Sequence, residues 1–316
     1  MSARATSARR ARVRALAKVN LDLRVLGRRQ DGFHELRTIF QTISLADTLD
    51  IAFTPGRRSS IEIEDALEIP DNLAVRAARL TLETLQVEGK VEMRLTKRIP
   101  MGAGLGGGSS DAAAVLLALP VLAGRRVAAP RLCEMASELG SDVPFFLLGG
   151  RAAGIGRGQE LFPLPEAAAR TGVLVVPGVP VSTAQAYRWL SAHLTTESQQ
   201  NKIFSFIAQA WAQGAGEAGC NDFEAVVFRH LPQLAALKKR LERAGASPAL
   251  MTGSGSAIFG LFRTGARARR ALAALEEENA FRISLVSRAR YRAMWWRALK
   301  EHIAERIWPP QSRYAP

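Results

Sequence analysis

At 316 residues, 47% of them hydrophobic, the chain is long enough for two domains of ordinary size, each with its own core. No apolar run reaches the ~18 residues of a membrane helix, which excludes a membrane span. The net charge of +14 gathers at the ends, with five arginines and no acid in residues 1–14 and seven Lys/Arg against Glu301 and Glu305 in residues 287–316; a basic groove for RNA needs charge on the folded body and is the weaker reading.

Residues 1–14 are expected to form a basic, disordered extension, with an organelle transit peptide as the alternative. From Ala17 to Val25 apolar residues alternate (Val19, Leu21, Leu23), which predicts a strand with Lys18, Asn20, Asp22 and Arg24 on its other face. After the polar turn GRRQDG, the stretch FHELRTIFQTISLADTLDIAF reads as further strand, and IEIED continues the sheet. DNLAVRAARLTLETL places Leu73, Ala77 and Leu80 at helical spacing behind an Asp71/Asn72 cap. Val91, Met93 and Leu95 then alternate as a half-buried strand would.

PMGAGLGGGSSDAAAVLLAL follows, a glycine cluster set against an apolar helix former. Each glycine costs about 0.5–1 kcal/mol relative to alanine in regular structure, so a cluster needs a reason, and close backbone approach to a ligand is one. The helix, expected to begin near Ser109, leaves its first N–H groups without intrahelical partners at the positive end of its dipole. Strand, glycine loop and helix together make an anion cradle.

PRLCEMASELG is a second amphipathic helix that stops at Gly140 and delivers SDVPFF to a loop. VLVVPG, near Thr171, opens another α+β unit with helices at STAQAYRWL, FEAVVFRHL and QLAALKKRLERAG; the stretch from about Ser191 to Gly219 is expected to be a mobile insert. ALMTGSGSAIFGLF reads as two strands around a glycine turn, RARRALAALEE as a helix and FRISLVS as a last strand. In the tail, Met294, Leu299, Ile303 and Ile307 have the spacing of one packed amphipathic helix. Cys133 and Cys220 stand far apart with no CxxC partner, which argues against a disulfide scaffold or a zinc site; both are read as plain buried thiols in a reducing compartment.

The loop has no G-x-x-x-x-G-K-[ST], so it is not a Walker-type site. GAGLGG matches G-x-G-x-x-G formally, but AGRRVAAP stands where a dinucleotide fold wants a strand ending in an acid. The loop resembles instead P-x3-G-L-[GS]-S-S-A, the glycine motif of the kinase superfamily that contains galactokinase, homoserine kinase and mevalonate kinase. AKVNLDLRVLGRRQDGFHEL, DNLAVRAA, GSDVPFFLLGG, PGVPVSTAQAY, NDFE and TGSGSAIF also look like blocks, in order, of the branch that phosphorylates 4-diphosphocytidyl-2-C-methyl-D-erythritol in the non-mevalonate isoprenoid pathway.

That resemblance implies an α+β, two-lobed kinase with its site in the cleft between the lobes: an ATP-binding lobe over residues 15–170, a substrate lobe over 171–287, and a basic helical extension over 288–316. It implies ATP and Mg2+ as cofactors, a small-molecule substrate, no nucleic-acid or membrane partner, and a cytoplasmic monomer or homodimer, or a plastid enzyme if the N-terminus is a transit peptide. Lys18 and Asp142 match the catalytic pair. A free aspartate carboxyl is too weak a base to strip an alcohol beforehand, so proton transfer to it comes late. Pro100, Met101, Gly102, Ala103, Gly104, Leu105, Gly106, Gly107, Gly108, Ser109 and Ser110 match the phosphate loop, with Ser109 or Ser110 as a candidate magnesium contact and Asn72 and Lys97 toward adenine. On the acceptor side, Phe33 and Tyr187 match a stacking pair for cytosine, His34 a reader of its edge, and Asn20 and Thr183 contacts to the polyol and diphosphate. Phe33 stands where relatives often carry Tyr. Gly253, Ser254 and Gly255 match a glycine turn supporting the floor of the site. Homoserine or mevalonate kinase is the alternative within the superfamily, and a basic RNA-binding module the alternative outside it.

Overall fold

The computed structural model describes residues 7–166, 169–191, 206 and 219–315. Two long strands, β1 (Arg9–Arg28) and β2 (His34–Pro55), form an antiparallel hairpin whose register runs from Arg28↔His34 to Arg9↔Phe53. Then come β3 (Ser60–Asp65), α1 (Leu73–Leu85), β4 (Gly89–Thr96), α2 (Gly107–Ala123), α3 (Ala129–Leu139), α4 (Val143–Leu148), β5 (Arg151–Gly156) and β6 (Glu160–Pro163). The second half contributes β7 (Thr171–Val175), α5 (Thr183–Ser191), α6 (Phe223–His230), α7 (Pro232–Arg243), β8 (Ala249–Met251), β9 (Ile258–Phe262), α8 (Gly265–Ala273), β10 (Ala280–Ser284) and α9 (Arg288–Ala298).

One sheet runs β3-β4-β2-β5-β6 with β1 paired to β2, and the other runs β10-β7-β9-β8. The expected α+β class holds, with β1 to β6 in the first sheet and β7 to β10 in the second. The middle of β1 belongs to both halves. Ala17, Val19 and Leu21 are buried in a cluster with Leu174, Phe259 and Ile283 of the second half, while Lys18, Asn20 and Asp22 are buried as well. The strand is therefore where it was expected, but residues 15–23 are buried on both faces and the register shifts between Leu16 and Lys18 and between Asn20 and Asp22.

Helix α2 is buried along nearly its whole length and apolar all round, as a helix packed on every side must be. It begins at Gly107, two residues before the expected start, and Gly124 ends it in the left-handed region at φ 75°.

Several expectations are corrected. Residues 9–14 are not a disordered extension: they open β1 and pair with residues 48–53 of β2. SDVPFF is not a loop but largely α4; Pro144 sits in its first turn, where a missing N–H costs nothing. β5 and β6 were not anticipated. The tail packs, yet its helix stops at Ala298, and Leu299 and Ile303 are buried through turns while Ile307 is exposed. Cys133 is exposed and Cys220 half-buried, so neither is a fully buried thiol. The expected mobile insert, from about 191 to 219, lies almost wholly outside the described residues. Among the described residues, no helix is long and apolar enough to cross a membrane.

Candidate active site

The glycine loop is pinned from below. Ala103 and Leu105 bury their side chains in the cluster that joins the two halves, and the Leu105 carbonyl accepts the Lys18 N–H at 3.0 Å. Met101 and Gly102 face outward. Gly104, at φ +77°, sits so close to the second glycine turn that a Cβ there would lie 2.2 Å from the Thr252 carbonyl oxygen, and one on Gly253 would lie 3.0 Å from Gly104 Cα. The two turns thus touch backbone to backbone, which is what their glycines permit. Gly106 caps α2 at φ 70°, and the Ser110 N–H closes the first helical bond onto the Gly106 carbonyl at 2.9 Å. The N–H groups of Gly107, Gly108 and Ser109 precede that bond and have no intrahelical acceptor.

The structure brings together the two residues matched to the catalytic pair. Lys18 Nζ lies 3.4 Å from Asp142 Oδ2, although the residues come from β1 and from the cap position of α4. The lysine side chain is only 5% exposed, against 34% for the aspartate, so the ammonium is held inside and the carboxylate looks into the cleft. Lys18 Nζ also donates to Asn20 Oδ1 at 2.9 Å. That oxygen receives the Gly253 N–H at 3.0 Å, and the Asn20 amide donates to Thr38 Oγ1 at 2.7 Å. Asn20 is buried in the wall of the cleft, a strut between Lys18 and the second glycine turn.

Lys97 also departs from expectation. Its ammonium is sealed between Asp47 at 2.5 Å and Asp111 at 2.8 Å, with side chains 7%, 0% and 3% exposed respectively. Asp47 further accepts the N–H groups of Arg98 and Ile99. Burial opposes the charge on Lys97, but the two carboxylates outweigh it and hold its pKa above the ordinary lysine value. Burial pushes the Asp111 carboxyl up to about 7 despite the opposing pull of Lys97, and the charge of Asp47 adds to the rise. The Lys97 side chain is therefore committed beneath the loop; what it leaves accessible is its backbone. Asn72 is the cap of α1, accepting the Ala74 N–H at 2.9 Å, as its second expected role required. The Ser110 hydroxyl donates to the Leu16 carbonyl at 2.7 Å and is buried, whereas Ser109 is half-buried.

A cleft of about 180 Å³ lies over the catalytic pair, lined among others by Gly104, Gly106, Thr183, Tyr187 and Ser254. The Thr183 and Ser254 hydroxyls are 3.0 Å apart, so the start of α5 meets the second glycine turn. Tyr187 stacks on His34, with centroids 4.4 Å apart and planes at 23°, and meets Phe223 edge-on. Phe33 is 50% exposed and carries the Arg157 guanidinium 3.9 Å above its ring. Burial, with Arg28 nearby, lowers the pKa of His34 and favours its neutral ring, while burial and the charge of Asp142 push the Tyr187 hydroxyl up to about 12.

Sequence reading missed Arg157, Thr252, Asp47 and Asp111. Asp111 had a visible signal, a lone acid in an apolar helix, which must find a partner when buried. Thr252, whose hydroxyl accepts the Asn20 N–H at 3.1 Å, had none.

Models of the GHMP kinases N terminal domain and the GHMP kinases C terminal match residues 72–150 and 205–280. The fold is shared with a homoserine kinase from Cytophaga hutchinsonii, at 20% identity and TM-score 0.66 over 91% of this chain and 96% of that one. Two sheets with a pinned glycine loop at their junction and these matches place the chain among the GHMP kinases. A crystal structure of 4-(cytidine 5'-diphospho)-2C-methyl-D-erythritol kinase is 41% identical, with TM-score 0.72 over 87% of this chain and 98% of that one. The curated 4-diphosphocytidyl-2-C-methyl-D-erythritol kinase of Solibacter usitatus is 64% identical over 98% of this chain and 100% of its own length, and that of Geobacter metallireducens 42% identical over 81% and 91%. The chain belongs to the 4-diphosphocytidyl-2-C-methyl-D-erythritol kinase family.

Proposed function

We propose that the protein transfers the γ-phosphoryl group of ATP to the 2-hydroxyl of 4-diphosphocytidyl-2-C-methyl-D-erythritol, a step of non-mevalonate isoprenoid synthesis, in the cleft above Lys18 and Asp142. The observation that carries the site is the 3.4 Å contact between those two residues beside the glycine loop. Phosphoryl transfer is mostly positioning and charge stabilisation. The free N–H groups of Gly107, Gly108 and Ser109 point to where the triphosphate oxygens would bind, at the positive end of α2. As the acceptor oxygen bonds to the γ-phosphorus, the bond from that phosphorus to the β–γ bridging oxygen breaks and the hydroxyl proton passes to Asp142. Lys18 holds the carboxylate in place and offsets the negative charge that develops.

Mg2+ usually takes one or two protein oxygens and completes its shell with phosphates and water. The residues present fit such an ion: Ser109 is the serine with access, whereas Ser110 is buried with its hydroxyl turned to the Leu16 carbonyl. When bound, the ion would neutralise phosphate charge. Among the described residues, no cluster of three or more acids, His or Cys is placed to hold a metal without the nucleotide.

On the acceptor side, Phe33, His34 and Tyr187 offer flat faces and a neutral ring edge for a pyrimidine. A small acceptor such as homoserine or mevalonate needs no such corner, which is why the cytidylated substrate is preferred. We assign the enzyme to the cytoplasm, as a monomer or homodimer without nucleic-acid or membrane partners. ADP release in a coupled assay with the cytidylated acceptor, homoserine and mevalonate tests the assignment: turnover is expected with the first, and comparable turnover with either of the others would overturn the substrate.

A further inference from the structure

Residues 288–315 lie beyond both matched kinase domains, the second of which ends at residue 280. They do not trail off. The Tyr291 hydroxyl donates to the Phe146 carbonyl at 2.5 Å, and the Trp308 indole N–H donates to the Leu147 carbonyl at 2.9 Å. Both acceptors belong to the last turn of α4, beyond the Phe145 carbonyl that takes the Gly149 N–H at 2.8 Å, and find no intrahelical donor in so short a helix. The Gly149-Gly150 pair that ends α4 is the seat for these side chains. A Cβ on Gly149 would lie 2.3 Å from the Tyr291 ring, and one on Gly150 would lie 2.7 Å from the Arg288 backbone nitrogen.

The other end of α4 carries Asp142. Between the two ends, the Phe146 ring rests on the loop, 2.9 Å from where a Gly106 Cβ would stand, and Phe145 packs on Phe40, over which Lys18 Nζ sits at 5.3 Å. We propose that the C-terminal segment is a positioning element for the transfer step: Tyr291 and Trp308 cap α4 from behind and thereby fix Asp142 against Lys18 and the glycine loop. The helix spans six residues, under two turns, so a shift at its capped end reaches Asp142 with little to absorb it. Misplacing a reacting group by about 1 Å can cost about a hundredfold in rate.

The inference rests on the reading of Asp142 as the proton acceptor, and the experiment separates the two. In the full-length chain, the Tyr291→Phe/Trp308→Phe double variant keeps the aromatic packing and removes both bonds to α4. Ser312→Ala removes another tail bond, the one from the Ser312 hydroxyl to the Val121 carbonyl near the far end of α2. Melting temperature, kcat and the KM for ATP are measured for each. The expected result is a loss of roughly ten- to a hundredfold in kcat for the double variant, with the KM for ATP unchanged and kcat kept in Ser312→Ala. Unchanged kcat in the double variant overturns the proposal. So does an equal kcat loss in Ser312→Ala, which marks the tail as a stabiliser only. If the double variant does not fold, Tyr291→Phe alone is read by the same criteria. Wild-type turnover in Asp142→Asn would instead remove the reading on which the inference rests.

Discussion

Two lysine–carboxylate clusters flank the same glycine loop, and they differ in what they leave open. In one, Lys18 holds Asp142 at 3.4 Å and a third of the aspartate side chain faces the cleft. In the other, Lys97 is closed between Asp47 and Asp111 with all three side chains buried. Similar residue types therefore do opposite work. The open cluster keeps a carboxylate available to a substrate, while the sealed one ties β2 and the strand end at Lys97 to the first turns of α2. A buried ion pair is a poor source of net stability but costly to break, because the survivor is left charged and dry.

Lys18→Met breaks the comparison most sharply. It should lower kcat by roughly a thousandfold, the scale of losing an electrostatic stabiliser, while the melting temperature changes little; turnover assays beside thermal unfolding check this. Lys97→Met should do the reverse, costing about 3–5 kcal/mol of stability in denaturant titration by stranding two buried carboxylates, with kcat retained in the folded fraction. Gly104→Ala should cost about 1–3 kcal/mol in the same titration and weaken ATP binding, since its Cβ would drive the loop off Thr252.

The remaining prediction is a pH slope. Because the Asp111 carboxyl is raised to about 7 in the folded protein, the folded state holds that proton where the unfolded chain has lost it. The contribution is fully present below about pH 4 and is lost as pH rises toward 7. Asp111→Asn, neutral throughout, should show a flatter melting profile across that window; an unchanged slope would take Asp111 out of the account.

The sequence makes the open cluster legible because its residues sit in contiguous motifs, AKVNL and GSDVPFF, each with its own spacing. Strand pattern alone could not separate Lys18 from Lys97, since both ammoniums are buried and only tertiary structure decides whose carboxylate partner stays open to the cleft. The same limit hid the strut role of Asn20, whose partners Thr38 and Gly253 come from other parts of the chain. β5, RAAGIG, lacks the β-branched and aromatic run that marks a strand, and is one because β2 pairs with it from Leu36↔Gly156 to Gln41↔Arg151. α4 hid behind Pro144. The N-terminal arginines read as a loose extension because their strand partner, residues 48–53, lies far along the chain. Arg9 instead donates to the Leu122 carbonyl and stacks on Tyr314, so part of that charge is structural.

The account stands most directly on the turnover of Asp142→Asn with ATP and the cytidylated acceptor, measured together with nucleotide affinity. A loss of about 10²–10⁴ in kcat with ATP binding intact is the predicted result. Turnover at the wild-type rate would contradict it, because the carboxylate that the fold brings to Lys18 would then play no part in accepting the proton.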